Sequence, residues 1–122
     1  MGQVGYQSDV QVRRPCLLLI GIEPGEEPAE LGIRELAGAL RVLRVRYPIP
    51  ACQRIRIVRP HVIIVDRTVR AWSLAAIEQA AKEVGAPILQ LGPLVCREVL
   101  GKWLRHALEA SLASRAAREQ SA

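Results

Sequence analysis

The chain has 122 residues, half of them hydrophobic and 24% charged, with a formal net charge of +5. That length suits a single domain that buries its own core without disulfide or metal staples. The apolar fraction and the lack of a repeating period exclude collagen, coiled coil and disorder.

In chain order, residues 1–15 form a polar leader, read either as a flexible tail or as an edge strand around Val10 and Val12. Cys16–Ile22 is an aliphatic run too short for a helix, and it predicts a strand buried on both faces. Residues 23–30, with Pro24, Gly25 and Pro28, predict a loop. Leu31, Leu36, Leu40 and Leu43 lie near helical spacing, which predicts a helix over 29–43. Residues 45–50 then suggest a short second strand closed by two prolines. Over 51–59 the Arg-Ile-Arg-Ile alternation favours a strand, whereas the position before Pro60 favours a helical turn, and a short irregular helix is the reading adopted. Val62–Asp66 is a second buried strand. Ala71–Val84 carries Leu74, Ile77, Ala81 and Val84 on one helical face, with Gly85 as its stop. Pro87–Leu91 is the next strand, and from Val95 the chain reads as helix to about Ala117. The folded domain thus covers 16–117, followed by a polar tail at 118–122.

Strands alternating with helices, each strand a near-continuous aliphatic run, predict a parallel sheet covered on both faces. In such folds ligands meet the carboxyl ends of the strands, which directs attention to 21–23, 66–70 and 92–93.

Several function classes are disfavoured by composition. The aromatic residues are Tyr6, Tyr47, Trp72 and Trp103, with no Phe, so stacking platforms for single-stranded nucleic acid are scarce. Cys16, Cys52 and Cys96 lack a C-x-x-C spacing and read as buried free thiols of a reducing cytoplasm. His61 and His106 stand alone, without ligand spacing for zinc, and His61 reads as a surface residue at a strand start. The longest apolar run is too short to span a membrane, and the first fifteen residues carry no signal-like core. Gly21-x-x-x-Gly25 lacks the third glycine of a dinucleotide loop, and no Walker pattern occurs. No Ser-His-Asp or Cys-His set stands out. The expectation is a cytoplasmic protein that is not an enzyme and uses no metal or cofactor.

The cations are almost all arginine. Arg41, Arg44, Arg46, Arg54, Arg56, Arg59, Arg67 and Arg70 crowd the middle of the chain, while Glu23, Glu26, Glu27, Glu30 and Glu35 precede them. Two readings are open: one basic face attracting phosphate or acidic protein, or a solvated surface of a chain that favours arginine over lysine.

The residues at the strand ends resemble the bacterial response-regulator receiver domain. L-L-L-I-G-I-E-P (17–24) resembles that family's first strand, whose usual ending is two acids followed by Glu-Pro. R-P-H-V-I-I-V-D (59–66) resembles its third strand, which ends on the phosphoacceptor aspartate, here Asp66. G-A-P-I-L-Q-L-G-P (85–93), with the helix that follows, resembles its last strand, Lys-Pro step and last helix. The likeness covers most of 16 to about 112. It implies a flavodoxin-like α/β fold with a parallel sheet of four to five strands, helices on both faces and one unit shortened or lost.

The departures are chemical. Gly21 and Ile22 stand where the family keeps its magnesium-binding acids, leaving Glu23 alone, and Gly92 replaces the lysine that pairs with the phosphoryl group. Phosphoryl transfer to an aspartate needs a divalent cation held by hard oxygen ligands, which glycine and isoleucine cannot supply. Asp66 is therefore expected to be a vestigial phosphoacceptor position in a pseudo-receiver. The function expected is phosphorylation-independent binding of a protein partner in bacterial signalling, with no membrane contact. The alternatives are nucleic-acid binding through the arginine-rich middle and a working phosphoreceiver at Asp66.

On a helical wheel, Val95, Cys96, Val99, Leu100, Trp103, Leu104, Ala107, Leu108 and Leu112 cover more than half of the last helix, wider than one sheet face requires. Val99, Leu100, Trp103, Leu104 and Leu108 are accordingly the expected interface residues, with a homodimer through this helix as one use of them.

Overall fold

The computed structural model describes residues 14–22, 40–92 and 97–121. The four described strands are β1 (Cys16–Ile20), β2 (Arg41–Val45), β3 (Val62–Val65) and β4 (Ile88–Gln90), and the three described helices are α1 (Pro48–Val58), α2 (Ala71–Val84) and α3 (Arg97–Ser121). All strand pairings are parallel and the spatial order is β2-β1-β3-β4. This is the arrangement of a flavodoxin-like sheet, with four strands rather than five among the described residues.

β1 and β3 are central and every residue in them is buried. Their side chains alternate between two cores. Leu17, Leu19, Val62 and Ile64 join Leu100, Leu104 and Ala107 of α3 on one face. Leu18, Ile20, Ile63 and Val65 join Ala51 and Ile55 of α1 and Ile77, Ala80 and Ala81 of α2 on the other. An unbroken aliphatic strand is what two covered faces require, since alternate residues must both be apolar.

The helix expected over 29–43 and the strand expected over 45–50 give way to a different division. Residues 41–45 form β2, residues 23–39 lie outside the described ones, and α1 already begins at Pro48. Val42 and Leu43 pack on opposite cores, as strand neighbours do, while Arg41 and Arg44 are tolerated because β2 is an edge. Pro48 and Pro50 fit the first turn of α1 because its N–H groups have no intrahelical acceptor anyway. The irregular helix expected at 51–59 is thus a regular one of 11 residues, and the remaining strands are slightly shorter than expected.

α2 has the limits expected, ending on Gly85 at φ 73°. α1 ends instead on Arg59 in the left-handed region, at φ 53° and ψ 64°, with its N–H donating to the Ile55 carbonyl. A side chain costs roughly 1–2 kcal/mol there. α3 continues past Ala117 to Ser121, and the leader at 1–13 and residues 93–96, including Val95 and Cys96, lie outside the described set. Its 25 residues give a length of roughly 37 Å, against roughly 17 Å for a five-residue strand. Starting after β4, α3 crosses the sheet and overshoots its amino edge.

Candidate functional site

At the carboxyl end of the sheet, Asp66 follows β3 and lies half-buried beside Gly21. Its Oδ2 accepts hydrogen bonds from the Thr68 backbone N–H at 3.1 Å and from the Thr68 hydroxyl. Gln90 Nε2 donates to the Val69 carbonyl at 3.0 Å and approaches that of Asp66 at 3.4 Å, so β4 ties the same loop down. A Cβ on Gly21 would sit 3.3 Å from the Asp66 Cβ and 3.4 Å from Val69 Cγ2, with φ at 79°. Glycine here satisfies both the left-handed backbone and the close approach of the loop.

Ile22 is buried in the α3-side core, so one position where the resemblance places an acid is occupied by core packing. Gly92 lies at the same end, after β4, with no side chain to pair an anion, and Glu23 lies outside the described residues. No group of three or more His, Cys, Asp or Glu residues is placed to hold a metal among the described residues. The arrangement closes a loop, with one carboxylate oxygen of Asp66 engaged by Thr68.

The arginines of the middle do not gather into one face. Arg41 begins β2 and Arg59 precedes β3, both at the amino edge, whereas Arg67 and Arg70 lie in the loop at the carboxyl end. Arg56 pairs with Glu83 of α2 at 2.7 Å, and the Arg46 guanidinium lies 5.4 Å from the centre of the Tyr47 ring.

The interface expected on α3 is largely spent on the core. Leu100 is 1% and Leu104 2% exposed, and Trp103 and Leu108 are partly buried against the same cluster. The width of the apolar arc reflects α3 lying across the sheet with flanks that also pack. Of the five, Val99 is exposed, at 59%. Leu112, also exposed, is about 140° away from Val99 at 3.6 residues per turn, so the two form no common patch.

Sequence reasoning missed a cleft at the opposite, amino end. A cavity of about 660 Å³ is lined by Arg14, Cys16, Arg41, Arg59, His61 and Arg115. Val58, Leu112 and Ala116 add apolar wall, and Glu119 is the one acid lining it among the described residues. His61 is half-buried, not a simple surface residue: its N–H donates to the Cys16 carbonyl at 2.8 Å, while its Nδ1 accepts the Cys16 N–H at 3.0 Å. The ring therefore completes the β1–β3 ladder by one rung. Burial, with Arg115 and Arg41 nearby, pulls its pKa down to about 4. It is neutral at pH 7 and carries its proton on Nε2.

Arg115 Nη2 donates to the carbonyls of Arg59 and Pro60, at 2.6 and 2.8 Å, and so holds the left-handed turn from across the cleft. Burial and the charges of Arg118 and Arg59 lower the Arg115 pKa, although it stays cationic at any ordinary pH. Arg41 hydrogen-bonds the Cys16 thiol, yet burial prevails and pushes that thiol up, away from nucleophilic character. Arg41 Nε is buried without a hydrogen-bond partner among the described residues. Contributing segments range from residue 14 to residue 119, so no local motif could have revealed the cleft.

Comparison of the chain with protein-family models, curated proteins and solved structures returns no match. What the described residues define is a four-stranded, all-parallel α/β domain with a closed loop at one end of the sheet and an arginine-lined cleft at the other. No described helix is long and apolar enough to cross a membrane.

Proposed function

We propose that this chain is a receiver-like docking module that binds a protein partner without phosphorylation and without turnover of its own, in the bacterial cytoplasm. The observation that carries this reading is the outer face of α1. Ile49 and Ile57 are 70% and 77% exposed and lie about 80° apart around the helix, on one side, with exposed Pro50 just beyond Ile57. Ala51 and Ile55 already anchor the opposite side to the core, so packing within the described domain gives these isoleucines no role. Arg54 borders the strip on one edge, and on the other stands Arg56, paired with Glu83 of α2. Exposed aliphatic residues edged by guanidinium groups suit a partner that offers an apolar segment bordered by carboxylates. The loop closed around Asp66 supports the same reading, because its carboxylate is engaged by Thr68 and Ile22 takes the place of a metal-binding acid.

The test is affinity capture with three baits: the natural chain, Asp66→Ala, and the double variant Ile49→Glu/Ile57→Glu. A direct partner retained by the first two and lost by the third is the expected result. Loss of that partner with Asp66→Ala overturns the reading. So does a mass gain of one phosphoryl group on treatment with acetyl phosphate and magnesium, absent in Asp66→Ala. Both isoleucines are exposed, so the double variant retains the fold.

A further inference from the structure

The amino-end cleft is independent of the α1 surface and of Asp66. Leaving Arg14 aside, the described residues of its walls set Arg41, Arg59 and Arg115 against Glu119, a formal balance of +2 with His61 neutral. Like charges brought together from three different segments favour an anion placed among them. Among the described residues Arg41 Nε–H is buried and finds no acceptor, where a buried donor normally has one. Arg59 adopts a left-handed backbone at the rim when glycine would do so without strain. Residues held in sparsely populated backbone regions cluster at sites of function. Here the strain keeps a guanidinium at the mouth of the cleft.

We propose that the cleft binds a small molecule through a phosphate monoester. Guanidinium forks match the oxygens of phosphate and of carboxylate alike. The charge balance favours the dianion of a phosphate ester over a single carboxylate. The cavity, about 660 Å³, falls within the range of small-molecule sites and exceeds what one inorganic phosphate fills. Val58, Leu112 and Ala116 provide an apolar wall for the rest of the ligand. Glu119 opposes the phosphate and limits affinity.

The test is titration of the intact protein with ribose 5-phosphate, inorganic phosphate, citrate and a short DNA duplex, followed by calorimetry and by the Cys16 and His61 amide resonances. Ribose 5-phosphate is expected to move both resonances and to bind more tightly than inorganic phosphate. Arg59→Gly, which suits the left-handed turn and so keeps the fold, is expected to weaken binding about tenfold, and Glu119→Gln to strengthen it a few-fold. The proposal is overturned if millimolar ribose 5-phosphate leaves both resonances in place, or if neither substitution changes affinity. Inorganic phosphate binding as tightly as the ester removes the ester assignment. Citrate binding about tenfold more tightly makes the cleft a carboxylate site, and tighter binding of the duplex at the same resonances makes it a nucleic-acid surface; either result overturns the proposal.

Discussion

At the carboxyl end of the sheet, Asp66 finds its hydrogen bonds two residues along its own loop. At the amino end, Arg115 reaches across from α3 to the carbonyls of Arg59 and Pro60, more than fifty positions earlier in the chain. The first end is closed by contacts within the loop, by Gln90 of β4 and by a glycine that lets the loop approach. The second is held by long-range hydrogen bonds from a guanidinium to backbone carbonyls. In a parallel α/β sheet the carboxyl end is the usual place for a ligand. Here one oxygen of the Asp66 carboxylate is engaged within its own loop, while at the other end Arg41 Nε is buried with no acceptor among the described residues. A buried donor of that kind directs attention to an end of the sheet that its topology alone does not single out.

The largest effect is expected from reinstating an acid at the carboxyl end. Ile22→Asp places a carboxylate in the α3-side core and is expected to cost about 3–5 kcal/mol, measured by urea denaturation. Recovery of that stability on adding magnesium would break the comparison, because it would make this end a latent metal site. Next, Arg115→Ala leaves the Arg59 and Pro60 carbonyls without their donor and is expected to cost about 1–3 kcal/mol by the same measurement. An unchanged midpoint would mean that the clamp is incidental.

Arg59→Gly should act in the opposite direction. Relief of the left-handed side chain is expected to stabilise the fold by about 1 kcal/mol, read as a raised melting temperature. A stabilised protein with weakened phosphate binding sharpens the contrast, since it separates what the amino end needs for folding from what it needs for a ligand.

The smallest effect is acid-dependent and rests on His61. Its Nδ1 must stay unprotonated to accept the Cys16 N–H, and Arg115 and Arg41 oppose a further charge there, with Arg59 and Glu119 also lining the cleft among the described residues. The folded-state pKa of about 4 lies below the ordinary 6.5, so the unfolded chain binds the proton first. Stability is then full above about pH 6.5, declines as pH falls towards about 4, and levels off below it. Solvent screens the half-exposed ring and keeps the slope shallow. His61→Gln should flatten that part of a denaturation profile against pH, and an unchanged slope would remove His61 as its source.

Much of the fold is legible in the amino-acid sequence because burial writes itself into composition. β1 and β3 are uninterrupted aliphatic runs, and α2 is bounded by Gly85. β2 was not legible, since an edge strand carries arginines between its apolar residues and Leu40 and Leu43 imitate helical spacing. α1 was obscured by its prolines, which look like strand breakers until their first-turn positions are seen. The place of Asp66 at the end of β3 is legible from the aliphatic run before it, whereas its hydrogen bonds to Thr68 are not. The amino-end cleft left almost no trace, because Cys16 and His61 meet only through sheet pairing and Arg115 arrives through the length of α3.

That length separates two tasks along one helix. The turns bearing Leu100, Leu104 and Ala107 are committed to the sheet, whereas those bearing Leu112, Arg115 and Glu119 project past it to wall the cleft. Changes at Leu112 or Glu119 therefore alter the cleft wall and leave the strand-facing turns as they are, whereas Arg115 serves both tasks, because its hydrogen bonds to the Arg59 and Pro60 carbonyls also hold the turn before β3. The helix is thus a scaffold whose tip can vary around one fixed guanidinium.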